Sequence, residues 1–172
     1  MGQLWDARAR TVEILIQHGA DVHARDGNNS TPLHLASYSG MVNAMQLLIQ
    51  RGADVTALDK DDSTPLHLVS NSRGPTYQVE SIRLLIQHGA DINARDNRKS
   101  TPLHLLVESR WRHEREHVRL LLEHGADVDA TDVNGRTPDE IARASAQSSS
   151  RRLASTGFEI ARLIQDYRNR VR

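Results

Sequence analysis

Two short strings recur in step along this chain, and that is the tightest constraint on how it folds. Thr-Pro-Leu-His stands at Thr31–His34, Thr64–His67 and Thr101–His104, with a weaker copy, Thr-Pro-Asp-Glu, at Thr137–Glu140. A second string, His or Arg followed by Gly-Ala-Asp, begins at His18, Arg51, His88 and His124. Both advance by 33, then 37, then 36 residues. A period in this range is the mark of a stacked repeat, in which each unit buries its apolar face only against its neighbours.

Each marker has a physical part. Threonine can cap free backbone amides, and proline at the first helical position sacrifices no hydrogen bond, so Thr-Pro opens a helix. The residues after it, Leu33-His34-Leu35-Ala36, suit a short, closely packed helix. A second helix follows, read from Ala44–Ile49 in one copy and Val118–Leu122 in another. Gly52, Gly89 and Gly125 end it by entering the left-handed conformation. A short polar stretch with Asp, Asn or Gly at its tip then reads as a turn. The unit is helix, turn, helix, hairpin-like finger.

This pattern, D-x-x-G-x-T-P-L-H-L-A through G-A-D-V-N-A, resembles the ankyrin-repeat family over nearly the whole chain. The resemblance implies an all-α solenoid of stacked antiparallel helix pairs with β-hairpin-like finger loops, in a single domain. The expected divisions are a half repeat at 1–23, repeats at 24–56, 57–93 and 94–129, and a degenerate capping repeat at 130–172. The family's glycine before Thr-Pro survives only as Gly135; Asn29, Asp62 and Lys99 replace it. Lysine tolerates left-handed geometry poorly, so the finger before Thr101 is expected to be strained or differently shaped. The family histidines His34, His67 and His104 are expected to hold neighbouring loops by hydrogen bonds. At the N-terminus, Thr11–Gln17 reads as a second helix, with Leu4 and Trp5 folding back as a cap. An array cut from a longer protein is the alternative. Glu159–Ile164 reads as the last second helix, and the polar residues beyond it as a capping end.

Extra residues fall between the two helices of a repeat: four within 73–79, three within 110–115 and ten within 146–158. Within the last, residues 146–155 are Ser-rich and basic and read as flexible. They include Arg152-Leu153-Ala154-Ser155, a spacing that basic-directed kinases favour.

Composition narrows the function. The chain has 172 residues with 22 basic and 22 acidic side chains. A balanced charge disfavours a general nucleic-acid or acidic-membrane binder. The absence of cysteine excludes disulfide scaffolds, thiolate metal sites and cysteine nucleophiles. An aromatic share of 3% leaves little for base stacking. No apolar run is long enough to span a membrane, and no secretory leader pattern is visible, which points to an intracellular protein of cytoplasm or nucleus.

His113-Glu114-Arg115-Glu116-His117 fits H-E-x-x-H, a zinc protease signature. It begins in an inserted loop, its second histidine falls where other repeats carry Ala44 and Ser81, and no third ligand is indicated. The acidic stretch Asp59–Asp62 starts like a calcium loop but has Thr64 and Ser70 where such a loop needs Gly and Glu. The reading is therefore no catalytic residue, no metal and no cofactor.

The resemblance implies instead a monomeric protein-binding scaffold or adaptor, acting through the concave face of fingers and first helices. The runner-up is a regulatory or targeting domain excised from a larger protein. The partner is expected to be another protein, with no nucleic acid and no membrane. Carried onto this sequence, the candidate contacts are Arg25, Asn28, Tyr38, Leu58, Lys60, Asp61, Asn71, Arg95, Arg98, Glu108 and Trp111. Ser30, Ser63 and Ser100 flank the same frame. Asp59, Asp61 and Asp62 suggest an acidic finger, and Arg95, Arg98 and Lys99 a basic one. Charge reversal at Arg95 and Arg98 is expected to weaken capture with the fold intact. Tyr38, Leu58 and Trp111 are the expected anchors, since aromatic and arginine side chains dominate interface hot spots.

Overall fold

Threonine starts each short helix as the sequence predicts. In the computed structural model, which describes residues 2–71, 78–108, 115–147 and 151–171, Thr31, Thr64 and Thr137 hold extended backbone before Pro32, Pro65 and Pro138. Side chains are described from Arg8 onward within those ranges, except at 78 and 151–153. The described residues contain helices and no strand. They pack into two compact units, Met1–Asp91 and Ile92–Arg172.

The first unit holds α1 (Gly2–Gln17), α2 (Pro32–Tyr38), α3 (Val42–Gln50), α4 (Pro65–Ser70) and α5 (Gln78–Gln87). The first helices α2 and α4 pack side by side, and so do the second helices α1, α3 and α5. Within a repeat α2 lies on α3, and α4 on α5. Leu33, Met45, Leu48, Leu66, Val69, Ile82 and Leu85 fill the layer between them. Each such side chain contributes about 1.5–3 kcal/mol by leaving water.

The second unit holds α6 (Pro102–Glu108), α7 (Arg115–Glu123), α8 (Pro138–Ala146) and α9 (Arg151–Val171). α6 packs on α7 and α8, and α9 on α7 and α8. Leu103, Leu106, Val118, Leu121, Leu122, Ala142 and Ile164 form its core.

Glycine ends the second helices by the expected route. Gly52 takes φ +88°; its N–H donates to the Ile49 carbonyl at 2.9 Å, and the Ala53 N–H donates to the Leu48 carbonyl at 3.0 Å. This is the Schellman pattern, which satisfies carbonyls the helix leaves open. His18, His88 and His124 add to it. Each Nδ1–H donates to the carbonyl four residues earlier, at 2.8, 2.9 and 2.8 Å.

Two sequence expectations are corrected here. The chain before Thr11 does not turn back as a cap: Gly2–Gln17 is one unbroken helix, since neither Gly nor Pro interrupts the run from Gln3. The stretch 146–155 is not flexible throughout, because α9 already starts at Arg151. Its 21 residues make it about twice the length of the 9-residue α3 and α7. Packing explains the extension. Gly157 is buried where α9 crosses α8, and a Cβ there would lie 2.5 Å from the Ala146 nitrogen and 2.6 Å from the Ala142 oxygen. Only glycine lets the two backbones approach so closely.

Candidate protein-binding surface

Each finger closes around one aspartate. Asp26 Oδ1 accepts from the amides of Asn28 and Ser30 at 2.8 and 2.9 Å. Asp59 does the same for Asp61 and Ser63, at 2.9 Å each. Asp96 holds Arg98 and Ser100 at 2.9 and 2.7 Å, and Asp132 holds Asn134 and Arg136 at 2.8 and 2.9 Å. Two amides per carboxylate oxygen make a rigid turn by charge-assisted bonds. Sequence reasoning gave these aspartates no such role. The signal was present: each stands five residues before the threonine of its repeat.

This closure corrects the expected acidic finger. Asp59 is buried and committed to backbone amides, so Asp61 and Asp62 are the exposed carboxylates there. Ser30, Ser63 and Ser100 are also buried rather than offered for contact. The finger before Thr101 is not differently shaped either. Lys99 adopts φ +58°, beside +61° for Asn29 and +56° for Asp62. Lysine carries the cost of that conformation, about 1–2 kcal/mol, because the Asp96 turn dictates it.

Fingers are joined to their neighbours within each unit. In the first, the Lys60 amide donates to the Asn28 carbonyl at 2.9 Å, and Lys60 Nζ donates to Asn28 Oδ1 at 2.6 Å. Arg25 Nη1 donates to the Leu58 carbonyl at 2.8 Å. In the second, the Val133 amide donates to the Arg98 carbonyl at 2.8 Å, and Arg95 Nη2 donates to the Thr131 carbonyl. Asn93 uses both ends of its carboxamide on the next repeat, Nδ2 donating to the Gly125 carbonyl at 3.0 Å and Oδ1 accepting from the Asp127 amide at 2.8 Å.

The histidines of Thr-Pro-Leu-His tie helices to fingers. Nδ1 of His34 accepts from the Thr31 amide at 3.2 Å, which leaves Nε2–H to donate to the Ser63 carbonyl at 3.0 Å. His104 repeats this with Thr101 at 3.2 Å and Arg136 at 3.1 Å. Burial holds both rings below the usual imidazole pKa, outweighing the carbonyls that favour the charged form. In the last repeat Glu140 takes the histidine's place: its carboxylate accepts from the Thr137 amide at 2.8 Å, and its own amide donates to Thr137 Oγ1 at 3.3 Å, which closes the capping box.

The candidate contacts therefore separate. Arg25, Asn28, Lys60 and Arg95 are exposed but already hold neighbouring fingers. Glu108 accepts from Arg136 at 3.3 Å, and Arg98 stands 3.7 Å from Asp96. Asp61 and Asn71 are exposed. Tyr38 and Leu58 leave about half their surface in water, 48% and 45%, and Leu35, one turn before Tyr38 on α2, leaves 53%. Trp111 lies outside the described residues, as do 109–114, 72–77 and 148–150 of the inserted segments. Ser155 is exposed on α9.

Of the H-E-x-x-H string, His113 and Glu114 lie outside the described residues. His117 is 2% exposed on α7, matching the buried Ala44 and Ser81 of α3 and α5. The polar end of α9 is a built contact. Arg168 donates to the Val128 carbonyl at 3.1 Å and pairs with Asp129 at 2.8 Å and Asp139 at 3.8 Å. Among the described residues no helix is long and apolar enough to cross a membrane.

No curated protein sequence matches the chain. Residues 5–96, 57–132 and 75–162 match the family model for ankyrin repeats. Repeats of this kind generally mediate protein–protein interaction and are typically non-catalytic. Thr-Pro caps, histidine ties, glycine stops and aspartate-closed fingers meet that match at the same residues, and the chain belongs to the ankyrin-repeat family.

Proposed function

We propose that this chain is a scaffold or adaptor that binds another protein through its finger tips and the exposed face of its first helices. The observation that carries this is the exposure of Leu35, Tyr38 and Leu58 on elements that are otherwise locked. Capped helices and closed fingers hold the backbone beneath these side chains fixed, so little main-chain ordering is left to occur on binding, which lowers the entropic cost of recognition. Asp61, Asn71, Arg98 and Glu108 supply polar contacts around them, where charge sets specificity and encounter rate more than affinity. No catalytic step, metal or cofactor is part of this reading, and a monomer inside the cell is its setting.

The test uses residues whose loss leaves the frame intact. Arg95 is unsuited, because reversing its charge also removes the bond to the Thr131 carbonyl. Tyr38→Ala with Leu58→Ser should leave the melting temperature unchanged and weaken capture of partner proteins from lysate. A hot-spot side chain contributes about 2 kcal/mol or more, a loss of roughly thirtyfold. Undiminished capture of the same proteins by the double variant would rule out this surface.

A further inference from the structure

We infer that Asn134, at the tip of the last finger, is a site of spontaneous deamidation that switches that finger's charge and shape. The four fingers carry one backbone geometry with different residues at the tip. The tip pairs are Asn28-Asn29, Asp61-Asp62, Arg98-Lys99 and Asn134-Gly135. The second residue of each pair is left-handed, at φ +61°, +56°, +58° and +75°. Only the first and last pairs begin with asparagine, and their side chains differ.

Asn28 is held. Its Oδ1 accepts from Lys60 Nζ at 2.6 Å, and the residue after it has a side chain of its own, whose Nδ2 donates to the Leu58 carbonyl at 3.2 Å. Asn134 is exposed, and its carboxamide has no hydrogen-bond partner among the described residues. Gly135 follows it, and a Cβ built on Gly135 would meet nothing within 4 Å. Glycine admits the close backbone approach the reaction needs.

The step balances with water as its only co-reactant. The Gly135 backbone nitrogen bonds to Asn134 Cγ and gives up its proton. The Cγ–N bond of the carboxamide breaks, and ammonia leaves with that proton. Water then opens either carbonyl of the cyclic imide, leaving aspartate or isoaspartate. One bond restrains the reaction: the Gly135 N–H donates to the Asp132 carbonyl at 3.0 Å. The finger must open locally before the nitrogen is free, so finger opening sets the rate.

The product adds a negative charge beside Asp132. In its isoaspartyl form it also adds a main-chain carbon between residues 134 and 135. That carbon throws the Asp132-centred turn out of register, and with it the Val133 amide bond to the Arg98 carbonyl. The inference stands apart from the binding surface proposed on Leu35, Tyr38 and Leu58.

The experiment ages the intact chain in mildly alkaline buffer and follows tryptic peptides by mass spectrometry, with enzymatic methylation to report isoaspartate. The peptide Leu120–Arg136 should gain the mass of an amide-to-acid change, faster as pH rises. It should convert on the order of tenfold faster than Asp26–Arg51, which contains Asn28. Gly135→Asn, the residue already accepted at φ +61° in the finger before Thr31, should bring the rate down to that of Asn28. The inference is overturned if Asn134 keeps its amide as long as Asn28 does, or if Gly135→Asn leaves its rate unchanged.

Discussion

The helices α1 and α5 carry almost the same words and meet different fates. Thr11-Val12-Glu13-Ile14-Leu15-Ile16-Gln17-His18-Gly19 matches Ser81-Ile82-Arg83-Leu84-Leu85-Ile86-Gln87-His88-Gly89 position by position. Both end on a glycine, at φ +88° and +86°, with a histidine bonded back to the fourth carbonyl before it. Yet Leu85 is 0% exposed and Leu15 is 55% exposed. The difference lies in what each helix packs on. α5 has the first helix α4 and its neighbour α3, whereas among the described residues the main helix partner of α1 is α3. Similar local sequence gives the same helix ending, and burial follows the partner. The last repeat shows the opposite excess: α9 outgrows its counterparts and is locked to α8 through Gly157 and Arg168.

The largest effect that probes this comparison is Leu85→Ala. It removes a fully buried side chain and should cost about 2–5 kcal/mol in urea unfolding. An equal cost for Leu15→Ala, at the end of this series, would break the comparison. Next is Gly157→Ala, whose methyl collides with the α8 backbone. Overpacking of this kind should cost about 1–3 kcal/mol and separate α9 from α8, visible as faster amide exchange in α9. A neutral Gly157→Ala would mean that α9 is not seated so closely.

Arg168→Met keeps most of the stem and removes the charge-assisted bonds to Val128 and Asp129. About 1–2 kcal/mol should be lost, with protection falling first at 128–129. A shift in pH acts on fewer groups. His34 and His104 are held neutral by burial, so the folded state binds fewer protons than the unfolded chain as pH drops below the unfolded value of 6.5. Their contribution is fully present above that value and is lost as pH falls through their lower folded values. Thermal melts between about pH 7.5 and pH 5 should show this decline, and it should flatten in a His34→Gln, His104→Gln variant. Smallest is Leu15→Ala, which should change stability by less than about 1 kcal/mol because half its surface is already in water.

Much of this architecture was legible before any coordinates. Thr-Pro caps, glycine stops and the step of the two markers placed the helices and fingers, because these signals act over only a few residues. The candidate surface was legible only in outline. Arg25, Asn28, Lys60 and Arg95 stand at exposed positions, but each spends its side chain on a neighbouring finger. Those partners lie 32 to 36 residues away in sequence, beyond any local pattern. Ser-rich composition suggested a flexible segment at 146–155, and packing against α8 made 151–155 helix.

The sequence by itself determined the unit: where each helix starts and stops, how each finger turns, and that the repeats stack. Those outcomes depend on caps, φ angles and Asx bonds made among near neighbours. Tertiary structure decided which copies of the same pattern are buried, which exposed charges are spent on other fingers, and how far α9 extends. Burial and hydrogen-bond pairing depend on which surfaces meet, and Leu15 and Leu85, set in matching strings, differ for that reason alone.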